Sequence, residues 1–282
     1  MITALKQRVR EIRRSNHDAK LQSRRGEVGS FLVSYPKSGR TWLRYLLSLY
    51  MARAYDLGFE PDLLSTFRIL PNYDLDQERG LPSAERYKDG QMPLVAVSHR
   101  DYDGDLFGQT PVIMLLRDPR DVLVSSYFHQ TRHKHRFEGD IPEFIESGQY
   151  GAASIADYHN GWAAGLEGRR SLILSYEDMS TDTHAAVRRT LEFLGVAVDE
   201  AVLDEAVRKA QFDKMRKKEK QTGIPGHDYN REDADASRVR RGKVAGYTDY
   251  LGPEDDARVQ ELFAQHLTDA ATALYRRTGF IA

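Results

Sequence analysis

The chain has 282 residues, 40% apolar and 29% charged, with a formal net charge of −1 and no cysteine. A globular chain of this length buries roughly three quarters of its unfolded surface. Near-neutral charge excludes a general attraction to nucleic acid or to an anionic membrane, so any anion site must be built locally; the missing cysteines exclude disulfides, thiolate metal ligands and a cysteine nucleophile.

At the amino end, Ile2, Leu5, Val9 and Ile12 fall on one helical face, with arginines around the rest. Residues 1–28 therefore read as a basic helical extension docked on the body. The alternative is a basic amphipathic contact with a membrane or partner. This segment has no apolar run of the kind a secretory signal carries. No stretch approaches the about eighteen apolar residues of a membrane span. The default expectation is a soluble, cytoplasmic protein, with residues 29–282 forming one domain without repeats.

Phe31–Tyr35 reads as a short strand running into a turn. Thr41 to Ala54 follows as a helix, with Trp42, Tyr45, Leu46, Leu49 and Tyr50 at helical spacing. Leu94–Ser98 and Val112–Leu116 are apolar with little alternation, as buried parallel strands are. Pro119 fits the first turn of a helix running through Ser125, Phe128 and Gln130. Leu172–Tyr176 is a further strand. Thr183–Leu194 is a helix closed by Gly195, and Asp199–Ala210 and Glu254–Arg277 read as helices. Strands separated by helices imply an α/β fold, a parallel sheet covered on both faces with ligands at the carboxyl ends of its strands.

The turn Ser34-Tyr35-Pro36-Lys37-Ser38-Gly39-Arg40-Thr41-Trp42 joins a strand to a helix. Backbone N–H groups there form an anion cradle. Gly39 lets the backbone approach an anion, and Lys37, Ser38 and Thr41 can donate to it. The segment fits the Walker A pattern only in part. Ser34 stands where the first glycine belongs and Arg40 where the lysine belongs. This Y-P-K-S-G-x-T-W turn resembles the 5′-phosphosulfate loop of the sulfotransferases that use 3′-phosphoadenosine 5′-phosphosulfate (PAPS).

Other segments carry the same resemblance, in the family's order, from about residue 30 to 250. Arg117-Asp118-Pro119-Arg120-Asp121 with Ser125 resembles the 3′-phosphate motif R-N/D-P-R/K-D-x-x-x-S. An arginine at a strand exit can fork onto a phosphate, and Ser125 can add a hydroxyl. Arg120 and Asp121 read as a network tying strand to helix. Arg240-Arg241-Gly242 and the residues to Tyr247 are similar to R-K-G-x-x-G-x-W, with Arg in place of Lys. The shifted spacing leaves open which of Arg240 and Arg241 reaches the phosphate. Tyr176-Glu177-Asp178-Met179 resembles Y-E-D-M, in which the tyrosine contacts the adenine side. Trp42 and Phe212 match aromatic positions that flank the base; a core role for Phe212 stands beside that.

The resemblance implies a P-loop-like three-layer fold, with a central parallel sheet flanked by helices. It also implies a transferase that moves a sulfuryl group from PAPS to a hydroxyl or amine acceptor, leaving PAP. Lys37 would neutralise charge on the leaving phosphate. His99, at a strand end in V-S-H where the family carries K-T-H, would be the general base. No metal is implied: His129, His133 and His135 sit in a basic stretch without matching carboxylates.

The implied acceptor is a small-molecule, lipid or glycan hydroxyl, taken between segments 55–92, 133–165 and 213–238. These hold Phe59, Phe67, Tyr73, Tyr87, Phe137, Tyr150, Tyr158 and Trp162, any of which can equally be core. The run from Lys214 to Gly226 reads as a mobile lid or as a solvated loop. Nucleic acid is not an expected partner, and a homodimer is left open. The rivals are a P-loop small-molecule kinase using ATP and Mg, with Asp118 as its acidic ligand, and a non-catalytic nucleotide-binding module.

Overall fold

The computed structural model describes residues 2–84, 92–222 and 242–280. Its centre is a sheet of four parallel strands in the order β2-β1-β3-β4: β1 Ser30–Val33, β2 Val95–Ser98, β3 Val112–Leu116 and β4 Ser171–Ser175. Ser30 aligns with Val95 on one side, and Phe31 with Val112 on the other. The chain leaves β1 for β2 in one direction and returns past it to β3. The carboxyl end of β1 therefore lies at the topological switch point, where sheets of this kind hold their ligands.

Both sheet faces are covered, which explains the unbroken apolar strands. Leu32, Val95, Val97, Ile113 and Leu115 pack on one face against α2 (Arg40–Ala54), α8 (Thr183–Phe193) and α9 (Glu200–Lys209). Phe31, Val33, Ala96, Met114 and Leu116 face the opposite way. They pack against α1 (Ile2–Arg24), α3 (Gly104–Phe107) and α6 (Ala152–Leu166), where Phe107 and Trp162 are fully enclosed. A third cluster joins α4 (Pro119–Phe128), α5 (Ile141–Ile145) and α6 to α11 (Pro253–His266) and α12 (Asp269–Tyr275). The expected three-layer P-loop-like arrangement is present. Two further helices, α7 (Tyr176–Thr181) and α10 (Phe212–Thr222), border the carboxyl edge of the sheet.

Local chemistry sets the boundaries. Asp118 caps α4 through the Arg120 N–H, with Pro119 following as the first helical residue. Ser175 and Asp178 form a capping box that starts α7 where β4 ends. Gly195 stops the chain after α8 in the left-handed region, at φ 72°. The single helix expected over Glu254–Arg277 is two. Leu267 is extended, and Thr268 caps α12 by accepting from the Ala271 N–H. Asn160 holds the break from α6: its Nδ2 donates to His266 O at 2.8 Å, and its Oδ1 accepts from Thr268 N at 2.9 Å.

Helix α1 is anchored at its carboxyl half. Leu21 is completely buried, and Tyr73 donates its hydroxyl to Leu21 O at 3.1 Å. Arg100 Nη1 donates to Asp18 Oδ1 at 2.7 Å, so α1 reaches the residue after His99. Ile12 is more than half exposed. Among the described residues no helix is long and apolar enough to cross a membrane. Leu21→Ala is expected to destabilise the protein by about 2–5 kcal/mol in denaturant unfolding. A loss below about 1 kcal/mol would mean that α1 contributes little to the fold.

Candidate functional site

The loop after β1 is tightly wound. Lys37 takes φ 75° and Gly39 φ 93°, both in the left-handed region, which is uncommon for a residue such as lysine. A Cβ on Gly39 would lie 2.5 Å from Cδ2 of Tyr176, so only glycine fits between the loop and that ring. Trp42, at the start of α2, donates Nε1–H to Ala210 O at 3.0 Å and meets Tyr176 edge to face at 5.6 Å.

Arg117 leaves the end of β3 and reaches the loops that carry Lys37 and Lys243, as well as Asp121 on α4 and Tyr176 after β4. Its Nη1 donates to Lys37 O at 3.3 Å and its Nη2 to Lys243 O at 3.2 Å. Nη2 also pairs with Asp121 Oδ2 at 3.3 Å, and the guanidinium carbon sits 4.3 Å from the Tyr176 ring centre. Asp121 accepts in turn from Tyr247 N at 2.8 Å, tying the loop after residue 242 to α4. Burial pushes the Asp121 carboxyl up, while Arg117 pulls it down. Beside it, Asp118 is consumed by Arg120, at 3.0 Å to Nε and 2.7 Å to Nη2. Arg120 itself lies 4.0 Å from the Tyr247 ring centre. These pairs are the expected strand-to-helix network.

At the opposite edge of the sheet, His99 follows β2. Its Nδ1 is 2.7 Å from Ser34 O. A carbonyl only accepts, so this contact assigns the proton to Nδ1 and leaves Nε2 as the basic nitrogen.

These elements enclose a cavity of about 340 Å³. Its wall includes Lys37, Gly39, Arg40, Thr41, Trp42, His99, Arg117, Ser125, Tyr176, Phe212 and Gly242, so residues distant in sequence meet. Ser38 is the exception: it is buried outside the wall, its Oγ without a hydrogen-bond partner. Gly242 is at φ 64°, and a Cβ there would collide with the Phe212 ring. Arg240 and Arg241 lie outside the described residues, as do the lid positions after Thr222; those before it belong to α10.

Sequence reasoning missed Asp121 as a wall residue, together with His129, Gln130, Met215, Lys243 and Gly246. A signal for two of them was present. Asp121, Ser125 and His129 are spaced by four and share one helical face. Gln130 lies in a π turn, His129–His133, closed by Lys134 N donating to His129 O at 2.9 Å. Of the aromatic candidates for an acceptor surface, Tyr73, Tyr158 and Trp162 are core. Phe59 and Phe67 lie under Arg68 and Arg44, and Phe137 and Tyr150 pack on the third cluster. None of these lines the cavity, and Tyr87 lies outside the described residues. Among the described residues no three histidine or carboxylate side chains gather as a metal ion would require.

Fold and site together define an α/β protein with a cation-rich cavity at the switch point of a parallel sheet. Residues 29–271 match the family model described as the sulfotransferase domain. The chain belongs to the sulfotransferase family, the PAPS-dependent enzymes that its motifs resemble. A 3-alpha-hydroxysteroid sulfotransferase of Cavia porcellus is 28% identical over 230 residues, covering 78% of this chain and 76% of that one. Cytosolic sulfotransferase 17 of Arabidopsis thaliana is 26% identical over 275 residues, covering 89% and 75%. The fold is shared with a mouse sulfotransferase complexed with PAP, at a TM-score of 0.59 and 22% identity over 89% of each chain. It is shared also with a retinol dehydratase in complex with androsterone and PAP, at 0.58 and 21%, covering 85% and 80%.

Glu177 supports the site from below the Arg117 strand exit. Its Oε1 accepts from Asp118 N at 3.0 Å, and its Oε2 is buried without a hydrogen-bond partner. Burial pushes this carboxyl from the usual 4.5 up to about 7, against the pull of the Asp118 N–H. The folded state thus holds the proton more tightly than the unfolded chain between those values. That contribution to stability is present below pH 4.5 and is lost as pH rises through about 7. Glu177→Gln keeps the acceptor for Asp118 N. It is expected to raise Tm relative to the parent at pH 8 and to flatten the decline across that window; identical pH profiles would contradict the assignment.

Proposed function

We propose that this chain transfers a sulfuryl group from PAPS to a hydroxyl or amine acceptor, using the cavity around Arg117. The observation that carries the proposal is the convergence of the loop after β1, Asp121 of α4, Tyr176 and the Gly242 loop on the Arg117 guanidinium. The wall suits a polyanion. Lys37, Arg40, Arg117 and Lys243 bring positive charge, while Thr41 and Ser125 bring hydroxyls. Gly39 and Gly242 leave room for close backbone approach. Among the described residues the buried Nε of Arg117 has no hydrogen-bond partner, and PAP offers acceptor oxygens to it.

Lys37, Gly39, Arg40 and Thr41 would hold the 5′-phosphosulfate, and Ser38, whose side chain lies outside the wall, would reach it only through its backbone N–H. Arg117 and Ser125 would hold the 3′-phosphate, with Gly242 and one of Arg240 and Arg241. Trp42, Tyr176 and Phe212 would flank the base. PAPS supplies the sulfuryl group and departs as PAP. In-line displacement forms the bond from acceptor to sulfur as the bond from sulfur to the bridging phosphate oxygen breaks. His99 Nε2 takes the acceptor's proton, Ser34 O holding the ring in that tautomer through Nδ1. Lys37 stabilises the charge arriving on the phosphate. Asp118, the acidic ligand that a kinase would need, is occupied by Arg120 and by its own helix cap.

Calorimetric titration tests the cofactor. PAP is expected to bind without metal, and Arg117→Ala to weaken it roughly 10- to 100-fold through lost charged hydrogen bonds. Binding of ATP only with Mg²⁺ would instead give the kinase reading. His99→Ala is expected to lower turnover by roughly 10²- to 10⁴-fold with PAP affinity unchanged. Near-parental turnover would remove His99 from the role.

A further inference from the structure

We infer that Asp18 of α1, acting through Arg100, is a positioning residue that holds His99 in the tautomer with a basic Nε2. The inference deepens the sulfotransferase reading and rests on it for the role of His99.

His99 stands where the sheet gives the chain least support. β2 is an edge strand, with β1 on one side only. On its outer side Val97 donates its N–H to Pro71 O and accepts from Tyr73 N, both at 2.8 Å. The strand ends one residue later, at Ser98, and His99 follows beyond the ladder. A general base works only within hydrogen-bond reach of the proton it takes. A displacement of about 1 Å can cost on the order of 100-fold in rate, so the chain beyond β2 must be fixed by other means.

Arg100 supplies three such ties. Its N–H donates to Ser98 Oγ at 3.0 Å, its carbonyl accepts from Trp162 Nε1 at 3.1 Å, and its Nη1 donates to Asp18 Oδ1 at 2.7 Å. The residue after His99 is thus bound to β2, α6 and α1 at once. On the preceding side, Ser98 O accepts from Ser34 N at 3.3 Å. Between these fixed neighbours the imidazole meets Ser34 O through Nδ1.

Asp18 is a firm anchor because of what lies three residues on. Leu21 shares its helical face and is completely buried, in the cluster that also holds Trp162 and Tyr73. Tyr73 donates its hydroxyl to Leu21 O and its backbone N–H to Val97 O. The α1 and α6 ties on Arg100 therefore come from one packed layer. Asp18 also lies 3.8 Å from Arg14 and 3.5 Å from His17, but its shortest charged contact is with Arg100. The pair is partly exposed, and pairs of that kind add little to global stability. Its consequence is local: it spans 82 positions to hold the neighbour of the candidate base. Neither residue lines the cavity, so the pair acts through position and not through contact with the cofactor.

Proton NMR of the full chain reads the effect. The His99 Nδ1–H signal, identified by its loss in His99→Gln, exchanges with water when the bond to Ser34 O opens. Asp18→Asn is expected to speed that exchange about tenfold or more. Exchange of the Trp42 indole N–H, bound to Ala210 O, is expected to stay unchanged, as is PAP affinity by calorimetry. Asp18→Glu, which keeps the carboxylate, is expected to stay near the parental rate. Arg100→Gln removes the other partner and is expected to reproduce the acceleration, which keeps the test decisive if Asp18→Asn does not fold. The inference is overturned by unchanged His99 exchange in both variants, by equal acceleration at the Trp42 indole, or by a parent protein whose His99 carries its proton on Nε2. Failure of the parent to bind PAP would overturn the sulfotransferase reading, while the exchange rates would still decide the positioning.

Discussion

The guanidinium of Arg117 occupies the point where separate segments meet, and its planar fork is what allows one side chain to engage them together. One nitrogen donates to the carbonyl of Lys37 and the other to that of Lys243, while the face lies over Tyr176 and Asp121 balances the charge. A lysine offers a point charge without this geometry and would hold fewer of these partners. The pairing with Asp121 also makes burial tolerable, since a charge taken out of water needs both a counter-charge and hydrogen bonds. Asp121 extends the network by accepting from Tyr247 N, so the loop that carries Gly242 is held from both sides.

What makes this meeting point reproducible is the sheet beneath it. The loops after β1, β2, β3 and β4 all start from the same carboxyl edge; β1, β2 and β3 are buried along their whole length, and β4 is buried at the end that launches its loop. Position at the edge follows from strand order: the loop after β1 is central, with His99 and Tyr176 toward opposite sides. The left-handed Lys37 and Gly39 then fold the loop back within reach of Tyr176 and Arg117. Backbone conformations of this sort persist where the surroundings over-determine them.

Much of this was legible in the residues themselves. The strands show as apolar runs because both faces are covered, and Val112–Leu116 has the bounds read from the sequence. Motifs at strand ends could be placed because turn chemistry is local: Gly39, Pro119 and the Asp118 cap each act within a few residues. Long-range effects were hidden. The break between α11 and α12 is fixed by Asn160, more than a hundred residues away, and leaves only Thr268 as a trace in its own segment. Tyr158 and Trp162 gave no sign of being core rather than ligand surface, because that depends on how α6 lies against the sheet. Asp121 was visible as a partner for the strand exit but not as part of the cavity, and Gln130 needed the π turn to be seen.

The chain holds only two tryptophans, and the fold treats them in opposite ways. Trp162 is completely enclosed, its indole N–H bound to Arg100 O. Trp42 stands in the cavity wall, with Tyr176 on one side and Ala210 O on its nitrogen. Tryptophan emission from this protein therefore comes from one indole enclosed in the core and one standing in the cavity wall. A molecule entering the aromatic end would change the surroundings of the Trp42 indole and leave the enclosed Trp162 indole as it is.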